Sequence, residues 1–365
     1  MSLSHSSSSS STIFITIIIL AACSVFQAIP NRATTTNKTT LDEEKCDLYN
    51  GSWVYDESYP LYDSTGCPFV RREFDCQKYG RSDQFYLSYR WQPTNCNLPR
   101  FDGKEFLERF KGKKIMFVGD SLSLNIFDSL VCLLHAAVPN ATIVQNTRSD
   151  FTIYTFQDYE VIVALHHSLF LVDVDNEPEG RVLKLNSIKS GEVWKKMDVL
   201  VFNTWQWWGR RGDKQPWDYV QDGLAVAKDM DRMDAFHTAL MTWANWVNTQ
   251  LDTEKTQVFF QGVSPSHYKG EEWHEEGVTN CSKEIRPING TTYPGGLPTA
   301  AFVIEDVLSS IIKPVTLLDI TNLSQLRKDG HPAMHNGLDH MDCTHWCIAG
   351  VPDTWNELLL AQLMM

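Results

Sequence analysis

Two short stretches at opposite ends of the chain carry residue types and spacings able to do chemistry. The first, Lys113 to His135 (KKIMFVGDSLSLNIFDSLVCLLH), sets Ser121 between an apolar run, Ile115 to Val118, and a segment where Leu122, Ile126, Leu130 and Leu133 recur at helical spacing. Gly119 permits a sharp turn between the two. A serine in the first turn of a helix has its Oγ beside unpaired backbone N–H groups and the positive dipole end, which stabilise an oxyanion. Ser121 is therefore the expected nucleophile of acyl chemistry, although a Gly-Asp-Ser triplet alone reads first as a helix cap. The second stretch, Asp342-Cys343-Thr344-His345-Trp346-Cys347, supplies the missing acid and base, a carboxylate three residues before an imidazole. In such a turn the carboxylate orients one ring nitrogen while the other takes the serine proton.

The elements that must position these residues alternate in type. Phe151 to Phe156, Glu160 to Leu165 and Leu169 to Val174 read as consecutive strands, and Asp198 to Asn203, Thr256 to Gly262 and Val315 to Ile320 as further buried strands. Between them, Met233, Phe236, Leu240, Trp243, Val247 and Leu251 step by three or four, predicting an amphipathic helix over Met233 to Leu251. Strands alternating with such helices predict an α/β fold, a parallel sheet covered on both faces. Its ligand crevice lies beyond the carboxyl ends of the strands, where Ser121, Asn203 and Ser264 all arrive. Asn203 at a strand end also suits a plain turn. Trp205, Trp207, Trp208 and Trp217 crowd one loop region and offer faces for sugar rings; at least one is expected at the crevice. Two further histidines compete for the base role. His331 suits structural hydrogen bonding, and His267 is a candidate for lining the cleft.

Composition bounds the class. At 43% hydrophobic and 12% aromatic residues, the chain is globular rather than disordered. Its net charge of −13 disfavours wholesale nucleic-acid binding. Arg71 to Lys114 nevertheless holds eleven Lys or Arg against six Asp or Glu, a local basic face suited to an acidic polysaccharide such as pectin or a glucuronic-acid-bearing xylan, or to plain solvation. Eight cysteines follow the N-terminal apolar segment, and sequons stand at Asn37, Asn50, Asn140, Asn280, Asn289 and Asn322. Together these predict oxidised cysteines in a secretory lumen; no spacing suggests a metal site.

Residues 1–30, Ser-rich and then apolar from Thr12 to Ile29, read as a signal anchor or a cleavable signal peptide, and residues 31–44 as a short stem. Residues 45–99 form a Cys-rich subdomain of small stapled loops, expected to lie against the catalytic domain, residues 100–365. Within it Gln84 to Trp91 is a candidate strand. Arg90 with Trp91 suits either stacking on sugars or internal packing.

The ordered stretches CDLYNGSWVYD from Cys46, RWQP from Arg90, FVGDSLSLN, VFNTWQWW, SPSHY, DGHP and DCTHWCIAGVPDTWN resemble the GDSL or SGNH esterase superfamily. More closely, they resemble the plant trichome birefringence-like family of wall polysaccharide O-acetyltransferases and acetylesterases. The resemblance implies a three-layer α/β/α fold, a Ser121–His345–Asp342 triad, and an oxyanion held by the Ser121 N–H and Asn203. It implies transfer through an acetyl-serine, with acetyl-CoA or another acetyl carrier as co-substrate and no bound cofactor or metal. The expected acceptor is a cell-wall polysaccharide, xylan, mannan or pectin. The expected location is a single-pass type II position in the Golgi membrane facing the lumen. A secreted wall acetylesterase and a non-catalytic polysaccharide-binding protein are the alternatives. The family pattern also implies the pairs Cys46–Cys96, Cys67–Cys132, Cys76–Cys347 and Cys281–Cys343. This chain departs from that pattern at Leu124, where many members have Arg, at Gln206, where many have His, and at Ile348-Ala349, where Leu-Pro is usual.

Overall fold

The computed structural model describes residues 46–365; the leader and stem expected over residues 1–44 lie outside the described residues. Among the described residues no helix is long and apolar enough to cross a membrane. The chain opens with an antiparallel pair, β1 (Gly51–Tyr55) and β2 (Tyr89–Pro93), with Cys46–Cys96 bonded just beyond its Gly51–Pro93 end. Gln84 to Trp91 is thus only partly strand, because Phe85–Leu87 is a 3-10 turn leading into β2. This segment has no separate core. Leu48, Tyr62, Phe74 and Trp91 are buried among side chains of the catalytic part, Leu130, Trp355 and Leu359 included.

Next comes α1 (Gly103–Arg109), capped by the Asp102 carboxylate, and then β3 (Lys114–Gly119) and α2 (Ser121–Ala137). There follow β4 (Ile143–Arg148), β5 (Phe151–Phe156), β6 (Val161–His167), β7 (Asp173–Glu177), β8 (Gly180–Lys184), α3 (Gly191–Trp194), β9 (Val199–Phe202), β10 (Tyr219–Asp222) and β11 (Ala225–Ala227). The chain closes with α4 (Arg232–Gln250), β12 (Gln257–Gln261), α5 (Thr299–Ser309), β13 (Thr316–Leu318), α6 (Thr321–Gln325) and α7 (Val351–Leu363).

Seven strands form the central sheet in the order β13-β12-β9-β3-β6-β5-β4, parallel from β13 to β6. The period-2 alternation of β3 divides two cores. Ile115 and Phe117 are buried with residues of α1, α2 and α7, whereas Met116 and Val118 are buried with residues of α4 and α5. This is the three-layer α/β/α architecture. Each such apolar side chain contributes roughly 1.5–3 kcal/mol over its exposed state, so a charge at Phe117 would break the joint that presents Ser121.

The structure differs from the sequence reading at one sheet edge. β4 and β5 run antiparallel, because two residues link β4 to β5 and four link β5 to β6, too few for the crossover a parallel pair needs. The run Leu169 to Val174 is not a strand of this sheet either. Phe170, Leu171 and Val172 are buried in a loop, and the chain then enters a second, four-stranded sheet, β11-β10-β8-β7. The remaining disulfides are Cys67–Cys132, Cys76–Cys347 and Cys281–Cys343, so all four pairs are those the resemblance implies.

Candidate active site

Ser121 is the first residue of α2, and local chemistry fixes it there. A Cβ on Gly119 would overlap the carbonyl of Asn203 and the Oγ of Ser123, so only glycine lets β3 close on the strand beside it. Asp120 caps the helix: its Oδ1 accepts from the Leu122 N–H at 2.9 Å. The same fully buried carboxylate accepts from Asn203 Nδ2 at 2.6 Å and from the backbone N–H groups of Trp205 and Gln206 at 3.2 Å each. Asp120 therefore ties the nucleophile turn to the loop after β9, a role beyond capping that the sequence does not show.

Ser121 Oγ lies 2.7 Å from His345 Nε2, and His345 Nδ1 lies 2.7 Å from Asp342 Oδ2. Asp342 Oδ1 accepts from the N–H groups of Thr344 and His345, both at 3.0 Å. Burial works to raise the Asp342 carboxyl, but its hydrogen bond to His345, the charge on that ring and the two N–H donors outweigh it. The carboxyl is held below the usual range. With Asp342 ionised, the proton of His345 sits on Nδ1 and Nε2 faces the serine as acceptor.

The turn that carries His345 is pinned from several sides. Asn125, one helical turn beyond Ser121 and wholly buried, donates from Nδ2 to the Trp346 carbonyl at 3.0 Å and accepts from the Trp346 N–H at 3.1 Å. Trp346 Nε1 donates to Ser264 Oγ at 2.8 Å, and the His267 N–H donates to the Cys343 carbonyl at 2.9 Å. Cys343 and Cys347 bracket the histidine and bond to Cys281 and Cys76. Neither the Asn125 pin nor its partner was readable as such; the only signal is the Asn ending FVGDSLSLN.

The other site candidates divide by burial. Asn203 is 3% exposed; one of its amide N–H groups goes to Asp120, and the amide carries a second. Trp205 and Trp207 are half-buried, with the Arg210 guanidinium 3.9 Å over the Trp207 ring. Trp208 and Trp217 are buried, Trp208 donating from Nε1 to Thr204 Oγ1, and offer no face to a sugar. Trp91 is likewise buried, its Nε1 bonded to the Leu48 carbonyl, so internal packing describes it, whereas Arg90 is half-buried and paired with Asp56 at 2.8 Å. His267 does not line the cleft. It is fully buried and both its ring nitrogens are engaged. Leu124 belongs to the helix-side core, Gln206 donates from Nε2 to the Ser264 carbonyl, and the Ile348–Ala349 bond is cis.

A serine, an imidazole and a carboxylate in hydrogen-bonded series at the carboxyl edge of an α/β/α sheet is the arrangement of serine acyl transfer. The PC-Esterase family, a GDSL/SGNH-like acyl-esterase family found in Pmr5 and Cas1p, matches residues 98–362, and the PMR5 N-terminal domain matches residues 44–97. The chain is 53% identical over 321 residues to Protein trichome birefringence-like 38 of Arabidopsis thaliana, covering 88% of this chain and 84% of that one. It is 55% identical over 320 residues to Protein trichome birefringence-like 41 of the same plant, covering 87% and 90%. Protein trichome birefringence, also of Arabidopsis thaliana, is 38% identical over 347 residues, 88% of this chain and 57% of its own length. The chain belongs to the PC-esterase family, among the trichome birefringence-like proteins.

Proposed function

We propose that the protein is a polysaccharide O-acetyltransferase working through an acetyl-serine. His345 Nε2 takes the Ser121 proton as Oγ attacks the carbonyl carbon of an acetyl donor, acetyl-CoA or another acetyl carrier. The oxyanion is assigned to the Ser121 N–H and the second N–H of Asn203. Collapse expels the donor's leaving group with the proton from His345, and a sugar hydroxyl, deprotonated in turn by His345, then takes the acetyl group. The observation that carries this reading is the pair of 2.7 Å contacts linking Ser121, His345 and Asp342.

Water is the competing second nucleophile, and transfer wins where the acceptor is held in attack geometry, for which effective molarities of order 10⁵ M are attainable. The half-buried Trp207, its Nε1 without a partner among the described residues and its ring under Arg210, supports an acceptor surface beside the loop that Asp120 holds. Four disulfides and six sequons support work in an oxidising lumen, where the acceptor would be a cell-wall xylan, mannan or pectin. The test incubates purified protein with an acetyl donor and separate deacetylated xylan, mannan and pectin oligomers, and reads acetyl mass additions by mass spectrometry. Acetate release from acetylated polymers without transfer to any acceptor would replace this reading with the acetylesterase.

A further inference from the structure

Behind the catalytic turn, two histidines form a chain whose protons do not balance if both rings are neutral. His331 Nδ1 lies 2.7 Å from the carbonyl oxygen of His345, His331 Nε2 lies 2.6 Å from His267 Nδ1, and His267 Nε2 lies 2.8 Å from the carbonyl oxygen of Gln325. The end groups are carbonyls, which only accept, so each of the three contacts needs its own hydrogen. Two neutral imidazoles bring two N–H groups and two lone pairs. One contact would then set lone pair against lone pair at hydrogen-bond distance. A single added proton supplies the third hydrogen and leaves one lone pair, on a central nitrogen, as the acceptor between the rings.

We propose that His267 and His331 together hold one extra proton, and that this shared imidazolium is a positioning device that fixes the backbone of the general base through its carbonyl. The proposal rests on the reading of Ser121, His345 and Asp342 as the reacting site. Burial opposes it: desolvation pushes His267 down to about 4 and His331 well below the usual histidine range. Nearby carboxylates and the two carbonyl acceptors favour it. Arg81 is paired with Asp83, Arg327 with Asp329, and Lys328 with Glu275 and Glu284. Tyr293 donates to Glu272. Asp342 favours the charged form of His331 and Asp329 that of His267, while Arg81 and Lys328 act against them. The rings also lie against aromatic faces and edges: His331 stacks on Trp346 at 4.1 Å, and Trp273 meets His267 at 5.5 Å, within the range of cation–π attraction. A cavity of about 180 Å³ bordered by His331 and by the exposed Ser82 and Ser282 admits solvent protons to the pair.

The direct test needs no turnover. Protein carrying Ser121→Ala is labelled with ¹⁵N-histidine, and its ring nitrogens are read by long-range ¹⁵N–¹H NMR at the pH of maximal wild-type activity, with His267→Gln and His331→Gln for assignment. The expected result is three protonated nitrogens and one bare nitrogen across the two rings. Two of each would overturn the proposal, whatever the protein acylates. In the active protein, His267→Gln substitutes an amide that donates to His331 Nε2 without an added proton. Its expected effect is to move the alkaline limb of kcat/KM upward by a pH unit or more. An alkaline limb identical to wild type would show that the pair does not position His345.

Discussion

Asn125→Ala isolates the contact that joins the nucleophile helix to the general base. The amide makes two hydrogen bonds to the backbone of Trp346, the residue after His345, and all of it is buried. Removing it leaves a buried N–H and a buried C=O without partners, each costing about 1–3 kcal/mol, or roughly 2–6 kcal/mol together. At about 2–4 °C per kcal/mol for a large domain, the melting temperature should fall by roughly 4–24 °C. Loss of the pin also frees His345 to drift from Ser121, and a displacement near 1 Å costs turnover about 10²-fold. The assay pairs calorimetry under non-reducing conditions with kcat/KM on an activated acetyl ester, measured well below the melting temperature. Site titration with a serine-directed phosphonate normalises for folded protein. Asn125→Asp keeps the acceptor for the Trp346 N–H but sets a carboxylate against the Trp346 carbonyl, so it should be no better than alanine. A variant that melts with the wild type and turns over at the wild-type rate would refute the pin.

Three other outcomes are expected. Asp342→Asn should lower kcat by on the order of 10³–10⁴, because an amide N–H facing His345 Nδ1 forces the proton onto Nε2; a loss under tenfold on the acetyl ester would contradict the tautomer argument. Burial raises Asp353 to about 6, Glu357 to about 7 and Asp128 to about 8, so the folded state holds protons the unfolded chain releases. Their stabilisation is complete below the ordinary carboxyl range and lost as pH rises through 6 to 8, on the order of 3 kcal/mol for Glu357 alone. Melting temperature should therefore fall between pH 5 and 8.5, and Glu357→Gln should flatten that slope; a parallel slope would be the contrary result. Glycopeptide mapping should find Asn322 bare despite its sequon, since its Nδ2 donates to the Thr291 carbonyl, its Oδ1 accepts from Tyr293, and Ser324 is fully buried. A fully occupied Asn322 in active protein would be incompatible with this packing.

The parts of the site legible in the sequence were those written in contiguous residues. Gly119-Asp120-Ser121 and Asp342 to His345 each announce a turn, and the strand–helix switch around Ser121 follows from periodicity alone. Illegible parts depend on partners without side-chain identity. Asn125 bonds to backbone, and the histidine chain ends on two carbonyls contributed by separate segments. Burial also defeats composition. Trp91 and Trp208 look like sugar platforms in a list of aromatics, yet Trp Nε1 groups that find carbonyl or hydroxyl partners inside the fold make them core. The second sheet was missed for a different reason: the strand expected over Leu169 to Val174 overlaps β7 (Asp173–Glu177) only at its last two residues, because β7 is a largely polar strand of half-buried and exposed residues without an apolar run to mark it.

The bond between Cys76 and Cys347 spans 271 residues and closes two positions after the general base. During synthesis Cys76 emerges early and waits, as an unpaired thiol, for nearly the whole catalytic part to follow. Cys343, which adjoins Asp342, likewise closes only with Cys281, 62 residues upstream. Asp342 and His345 thus lie in a turn whose covalent ties close late in synthesis. A chain made where thiols stay reduced lacks both covalent ties to its histidine turn and holds it by hydrogen bonds alone. Under the proposed function, a fully fixed histidine turn is thereby tied to an oxidising compartment.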